Sequence, residues 1–317
     1  MNLVYCGTPQ FAVPTLEALI AEGHRIPLVV TQPDRPVGRK QQPAAPPVKL
    51  TALANGLNVT QPEKIRNNEE FRARLESIVP DAIVVVAYGR IIPPWMLTLP
   101  RLGCINLHAS LLPRFRGAAP IQWAVAMGES VTGNTTMLLE EGLDTGPILL
   151  QRARGIDPNE TAVELFEELA DGGAHLVVET LERLEQGSIT PRPQNPAGAT
   201  MAPLLQREDG CMNFAVRTAT ELRNRWRGFQ PWPGAFTSLD GRKLIVHRMN
   251  ESDAQDGGAA GSLEPGQILV VDEKRLLVAC ANETWLELAE LQLEGRKRMT
   301  ASEFLRGNRV ATGMRLG

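Results

Sequence analysis

Asn106 and His108 stand two residues apart at the end of the apolar run CINLH (104–108), and a Ser-Leu-Leu-Pro segment with two arginines follows them. In an extended strand, residues two apart share a side, so both side chains can face one cleft. Farther on, EEGLDTGPIL sets Asp144 in a glycine-bounded turn between two strand-like runs. A neutral amide, an imidazole and a carboxylate suit acyl transfer without a covalent intermediate. The amide donates to a developing oxyanion, the histidine moves a proton, and the carboxylate orients the ring and favours its charged form. A bland reading stands beside this one. A lone histidine at a strand end is more often structural, and an Asp in Gly-Leu-Asp-Thr-Gly serves turn geometry by itself. His24, His175 and His247, after a helix end, within a long helix and within a strand, belong to that structural class.

Other chemistries are poorly served. No G-x-S-x-G elbow is present for a serine hydrolase. The first turn, GTPQFA, lacks the G-x-G-x-x-G pattern of a dinucleotide site. Cys6, Cys104, Cys211 and Cys280 are scattered without CxxC spacing, so neither a disulfide framework nor a cysteine-based metal site is expected.

The elements that must position the three residues follow from periodicity. Runs at 2–6, 27–31, 82–88 and 104–108 are short and apolar, and the last three are near-continuous, as in parallel strands covered on both faces. Further strand-like runs lie at 135–139 and 147–151. Helical spacing recurs at 11–20, 47–55, 65–78 and 118–128, and a long amphipathic helix at about 160–186 ends at Gly187. This alternation predicts an open α/β sheet, whose ligands bind beyond the carboxyl ends of the strands. Pro191, Pro193, Pro196 and Pro203 then mark a linker. Beyond it, a helix at about 218–228 precedes short β-prone runs divided by Gly, Asp and Asn, which predict a small antiparallel barrel. The expected division is 1–189, a linker at 190–207, and 208–317.

A chain of 317 residues with 43% hydrophobic and 22% charged residues is ample for two buried cores. Its N-terminus, MNLVYCGTPQ, has no basic n-region, and no apolar run approaches the ~20 residues of a membrane span. A soluble, cytoplasmic protein with no membrane partner is expected. The net charge of −3 argues against nonspecific coating of nucleic acid. Local basic clusters nevertheless occur. Residues 34–49 carry Arg35, Arg39, Lys40 and Lys49 among prolines, a composition that in a long loop of a compact domain points to function or disorder. Arg223 and Arg227 share a helical face, and Arg296-Lys297-Arg298 form a run. Phosphate contacts need such charge, yet such runs are as often plain solvated surface.

The stretch NLHASLLPRFRGAAPIQWA (106–124), followed by GLDTGPIL (142–149), resembles the signature of the 10-formyltetrahydrofolate-dependent formyltransferases. The AAPIQWA continuation, TQPDRPVGRK at 31–40, PWPGAF at 231–236 and the two-part layout are similar to the branch that formylates methionyl-initiator tRNA. Ala109 departs from the pattern, which usually has Gly there, and Gln206-Arg207 stand at a linker end that usually bears Lys. The resemblance implies an open Rossmann-like, mostly parallel sheet followed by a smaller OB-like β-barrel. It implies Asn106, His108 and Asp144 as catalytic residues and Ser110, Leu111, Leu112 and Pro113 as the loop that holds the folate. It also implies a pteridine slot lined by backbone at Tyr88–Ile92 and 140–144, and a basic loop carrying Arg39 and Lys40 toward the tRNA. The donor would be 10-formyltetrahydrofolate, the acceptor methionyl-initiator tRNA, with no metal and a monomeric enzyme. Formyl transfer to an amino sugar or to water is the rival chemistry, and an RNA-binding protein that keeps only the fold is the non-enzymatic rival.

Overall fold

The apolar runs of the first half form one seven-stranded sheet. In the computed structural model, which describes residues 1–37, 42–252 and 263–317, its strands are β1 (Asn2–Gly7), β2 (Arg25–Val30), β5 (Val59–Thr60), β6 (Ala82–Val86), β7 (Cys104–His108), β8 (Val131–Leu138) and β9 (Ile148–Gly155). They lie in the order β5-β2-β1-β6-β7-β8-β9. The first five run parallel, and β8 and β9 are antiparallel to their neighbours. β1 and β6 are buried along nearly their whole length, which is why their sequences do not alternate. The chain goes from β1 outward to β2 and β5, then returns to β6 on the other side of β1. That reversal is the topological switch point of the sheet.

Helices α1 (Val13–Ala21), α2 (Pro47–Ala54), α3 (Glu69–Ile78), α4 (Pro94–Leu97), α5 (Pro120–Ala126) and α6 (Ala162–Glu185) connect or follow these strands. The helix expected from residue 65 starts at 69. Asn68 is extended there, and its side chain accepts from the Phe71 N–H, so it caps the helix rather than joining it. The proline-rich basic stretch is not loop throughout. β3 (Arg35–Val37) pairs antiparallel with β4 (Gln42–Ala44), and Lys49 bonds Asp34 at 2.8 Å beside its base.

Residues 1–121, 131–156 and 164–203 cluster as one unit, and 122–130, 157–163 and 204–317 as a second. The stretch expected as a linker is therefore divided at Pro203. Its first part is laced to the first unit: Arg192 exchanges backbone hydrogen bonds with Ile148 at 2.8 Å each.

In the second unit, α7 (Ala219–Gly228) begins at a capping box of Thr218 and Glu221. Strands β10 (Ala235–Leu239), β11 (Arg242–Ser252), β12 (Ile268–Val271), β13 (Arg275–Ala279) and β14 (Trp285–Leu293) form an antiparallel sheet in the order β10-β11-β14-β13-β12. A short β15 (Met299–Thr300) pairs with β14 and leads into α8 (Ala301–Gly307). The C-terminal residues join the two edges of this sheet. Ile268 N–H donates to Met314 O at 2.7 Å beside β12, and Gly317 N–H donates to Ser238 O at 3.0 Å on β10. The alternating side chains of β11 and β14 face one core with Phe304 and Leu316.

The pair Arg223 and Arg227 is not a phosphate-facing surface. Arg227 is only 4% exposed and donates to the carbonyls of Asp157 and Glu160 and to Asn224 Oδ1. Burial lowers its pKa, a penalty offset by these acceptors. Arg223 bonds Pro158 O at 3.0 Å and Asn159 Oδ1 at 2.6 Å. Both arginines tie α7 to the 157–163 segment within the same unit.

Candidate active site

β7 brings Asn106 and His108 to the carboxyl edge of the sheet, one strand from the switch point. Asn106 is paired with Val85 of β6 and Met137 of β8, and His108 with Thr135 of β8. The Asn106 side chain is half-buried, and among the described residues nothing engages its amide. An amide held on a central strand with free N–H groups is a ready oxyanion donor.

His108 is buried and held at one ring nitrogen. Its Nε2 lies 2.9 Å from the Phe115 carbonyl oxygen, and its Nδ1 lies 3.7 Å from Asp144 Oδ2. A carbonyl oxygen can only accept, so Nε2 carries a hydrogen whether the ring is neutral or charged. Nδ1 is the ring nitrogen facing Asp144, 3.7 Å from its carboxylate.

Asp144 stands in left-handed backbone at φ 50°. Its Oδ2 accepts from the Gly117 N–H at 2.8 Å, and its carbonyl oxygen accepts from Gln194 Nε2 at 2.8 Å. Gly117 itself has φ 123°, and a Cβ there would fall 2.6 Å from Ala202 O, so only glycine brings this N–H to the carboxylate. Loop 113–119 is stapled from the proline-rich segment. Phe115 N–H donates to Thr200 Oγ1 at 2.8 Å, Arg116 N–H to Thr200 O at 2.8 Å, and Ala202 N–H to Arg116 O at 2.7 Å.

Ser110 to Pro113 form a turn with a buried inner lining. Ser110 is fully buried, and its hydroxyl donates to Arg114 O at 2.6 Å. Thr135 Oγ1 donates to Ser110 O at 2.6 Å and accepts from the Leu112 N–H at 3.1 Å, while Gln151 Nε2 reaches Leu112 O at 2.9 Å. Ser110 and Leu112 thus fix the turn's shape, and Leu111 and Pro113 are half-buried. The neighbouring edge loops show exposed apolar side chains, Ile91 at 86% and Leu143 at 61%. The Tyr88 carbonyl is held by Thr8 Oγ1 at 3.0 Å and Gln32 Nε2 at 3.2 Å, which joins the loops after β1, β2 and β6.

Asn106, His108 and Asp144 therefore meet at one edge, whereas Arg39 and Lys40 lie outside the described residues. Burial pushes the Cys104 thiol, on the same strand, up to about 12, which leaves it protonated and unreactive. Among the described residues, no group of three His, Cys, Asp or Glu side chains is placed to hold a metal, and no helix is long and apolar enough to cross a membrane. The sequence reading missed Phe115, Gly117, Thr135, Gln151, Gln194 and Thr200. Gly117 had a local signal, a glycine closing the PRFRG turn. The others act through partners 7 to 85 residues away, which no local pattern announces.

Residues 1–181 match the formyl transferase family, and residues 204–309 match the formyl transferase C-terminal domain. The chain is 64% identical over 317 residues to the methionyl-tRNA formyltransferase of Acidobacterium capsulatum, covering all of both proteins. The chain belongs to the methionyl-tRNA formyltransferase family. The corresponding enzyme of Koribacter versatilis is 56% identical, with all of this chain and 99% of that one covered. Among solved structures, this formyltransferase superposes on WlaRD, a sugar 3N-formyl transferase, with a TM-score of 0.64 at 16% identity over 94% of this chain and 99% of that one. HypX from Aquifex aeolicus in complex with tetrahydrofolic acid gives 0.59 at 15% identity over 96% and 47% of the respective chains. At such identities the likeness is one of fold. The family read from Asn106 to Ala124 in the sequence is borne out, as are the mostly parallel first sheet and the antiparallel second one.

Proposed function

We propose that this formyltransferase moves the formyl group of 10-formyltetrahydrofolate to the free amino group of methionyl-initiator tRNA, with Asn106, His108 and Asp144 as its catalytic residues. The observation that carries the assignment of residues is that His108, two residues after Asn106 on β7, has Nε2 committed to the Phe115 carbonyl and Nδ1 facing Asp144 at 3.7 Å. The amine nitrogen, as free base, attacks the formyl carbon, and the carbonyl oxygen becomes an oxyanion that accepts from Asn106 Nδ2. His108 Nδ1 takes the proton released by the attacking nitrogen, and Asp144 stabilises the resulting imidazolium. The same Nδ1–H then returns the proton to N10 as the C–N10 bond breaks. Nδ1 acts in both steps because Nε2 is committed to Phe115.

The turn at Ser110–Pro113 and the exposed Ile91 and Leu143 supply the donor's site in this reading. Apolar side chains suit the faces of a flat ring, and loop backbone groups suit its hydrogen-bonding edge. Arg39 and Lys40 are proposed to meet the tRNA, where charge-assisted contacts favour phosphates. The test is formyl transfer from 10-formyltetrahydrofolate to charged initiator tRNA, run beside water and an amino sugar as acceptors. Turnover with tRNA alone is expected; faster release of formate or formyl sugar would overturn the acceptor.

A further inference from the structure

We propose that Gln194 is a positioning residue for the reaction, holding Asp144 in its left-handed conformation and so aiming the carboxylate at His108. This rests on the catalytic assignment above. Asp144 stands at φ 50°, a region that Asp enters more readily than most side-chain-bearing residues but still at a cost relative to extended or helical backbone. Its partners therefore decide whether it stays there. Gln194 is one such partner. Its Nε2 donates to the carbonyl oxygens of Asp144 and Gly146, at 2.8 Å each. Its Oε1 accepts from Arg116 Nε at 3.1 Å and from Arg116 Nη2 at 2.6 Å.

Both amide hydrogens and both lone pairs of Gln194 are thus in use, and the orientation is unique. A flipped amide would set its oxygen against two carbonyls and its NH2 against a guanidinium. The residue beside Arg116 is Gly117, whose N–H holds Asp144 Oδ2. One short segment, 116–117, therefore fixes Asp144 at two points: the carboxylate directly, and the backbone through Gln194. Gln194 bonds the Asp144 and Gly146 carbonyls and Arg116, and its link to His108 runs through Asp144. It lies in the proline-rich stretch that composition marks as a linker, so the segment is part of the site's frame.

The test is a double-mutant cycle on the full chain, measured as kcat with charged initiator tRNA. Gln194→Ala should lower kcat by about ten- to a hundredfold. Gln194→Glu keeps shape and the Arg116 contact but loses the donors to both carbonyls. It should lower kcat comparably when assayed at a temperature where circular dichroism shows the variant folded, even if its melting temperature falls, which separates positioning from failure to fold. In an Asp144→Asn background, either Gln194 substitution should change kcat by no more than about twofold, because the group it aims is already lost. Unchanged kcat in Gln194→Glu, or an equal loss in both backgrounds, would overturn the proposal. Full activity of Asp144→Asn would instead remove the catalytic assignment on which it rests.

Discussion

At the carboxyl edge of the seven-stranded sheet, Phe115 and Asp144 hold left-handed backbone at φ 59° and 50°; at the amino edge Val79 does so at φ 49°. The three conformations are alike, and their surroundings are not. Phe115 is buried, its N–H bonded to Thr200 and its carbonyl to His108. Asp144 is gripped through backbone and side chain by partners 27 and 50 residues away. Val79 is 76% exposed; its N–H closes the end of α3 on Glu76 O, and its carbonyl accepts from Asn2 Nδ2 at 3.3 Å at the surface. The two residues at the carboxyl edge are held in the interior beside His108, whereas the third ends a helix in solvent. The amino edge has its own polar cluster, built for a different purpose. Asp81 accepts from the Asn2 N–H at 2.8 Å and from Arg101 Nη2 at 2.8 Å, pinning the starts of β1 and β6.

The sharpest break of this contrast is at β7. Asn106→Ala should lower kcat by ~10²–10³ through loss of an oxyanion donor, and His108→Gln by ~10²–10⁴ through loss of the proton carrier. Both variants should bind 10-formyltetrahydrofolate as the parent does, since the Ser110–Pro113 turn is untouched; equilibrium fluorescence titration checks this. Near-normal turnover in either would return both residues to strand-end structure.

Next in size is the brace behind the turn. Thr135 is fully buried and serves Ser110 O, the Leu112 N–H and Gln151 together. Thr135→Val preserves shape and removes all three hydrogen bonds. It should raise KM for the folate about tenfold, at ~1.4 kcal/mol per decade, with a smaller change in kcat. An unchanged KM would show that the turn holds its form without Thr135 or does not meet the folate.

How much of this was legible in the sequence follows the range of the interactions. The strands, the long helix α6 and the Asn106–His108 spacing are written in local periodicity, and the structure has them within a few residues. Asp144, proposed as the catalytic carboxylate, was legible as a glycine-bounded Asp, because turn chemistry is local too. Gln194 and Thr200 were not, since proline-rich composition reads as linker whether or not its side chains lace a loop 78 or 85 residues away. Helix α8 was missed although Thr300 and Glu303 form a capping box, a signal present in TASEFLRG. The hairpin of β3 and β4 was hidden by prolines, which edge strands tolerate.

At the amino edge, substitution should touch stability and leave catalysis alone. The Asn2 backbone N–H, and after it Arg101, hold the Asp81 carboxyl below its ordinary range. A depressed carboxylate contributes stability above the unfolded value of about 4 and loses it as pH falls through the folded value. Asp81→Asn should therefore lower stability by roughly 1 kcal/mol at pH 7, discounted for partial exposure, and the difference should shrink as pH falls below about 4. Thermal melts at the two pH values read this directly, with kcat at pH 7 equal to the parent's. A loss of kcat as large as that of the β7 variants would erase the distinction between the edges.

The smallest effect is expected at Val79, and its sign is the point. A β-branched residue in the left-handed region costs about 1–2 kcal/mol, while glycine adopts it freely and is the usual residue after a helix end. Glycine gives back ~0.5–1 kcal/mol through the greater freedom of the unfolded chain. The Val79 side chain is mostly in solvent, so little packing is lost with it. Val79→Gly should then stabilise by about 0.5–1 kcal/mol, or up to a few degrees in Tm for a domain of this size. Phe115→Gly relieves a similar conformation but removes a buried aromatic and loosens the carbonyl that holds His108 Nε2, so it should lose both stability and kcat. Opposite signs at two residues of nearly equal φ would mean that burial and the bond to His108, not the backbone angle, separate the two edges. If Val79→Gly destabilised the protein, the exposed left-handed residue would be doing more than closing α3, and the contrast between the edges would fail.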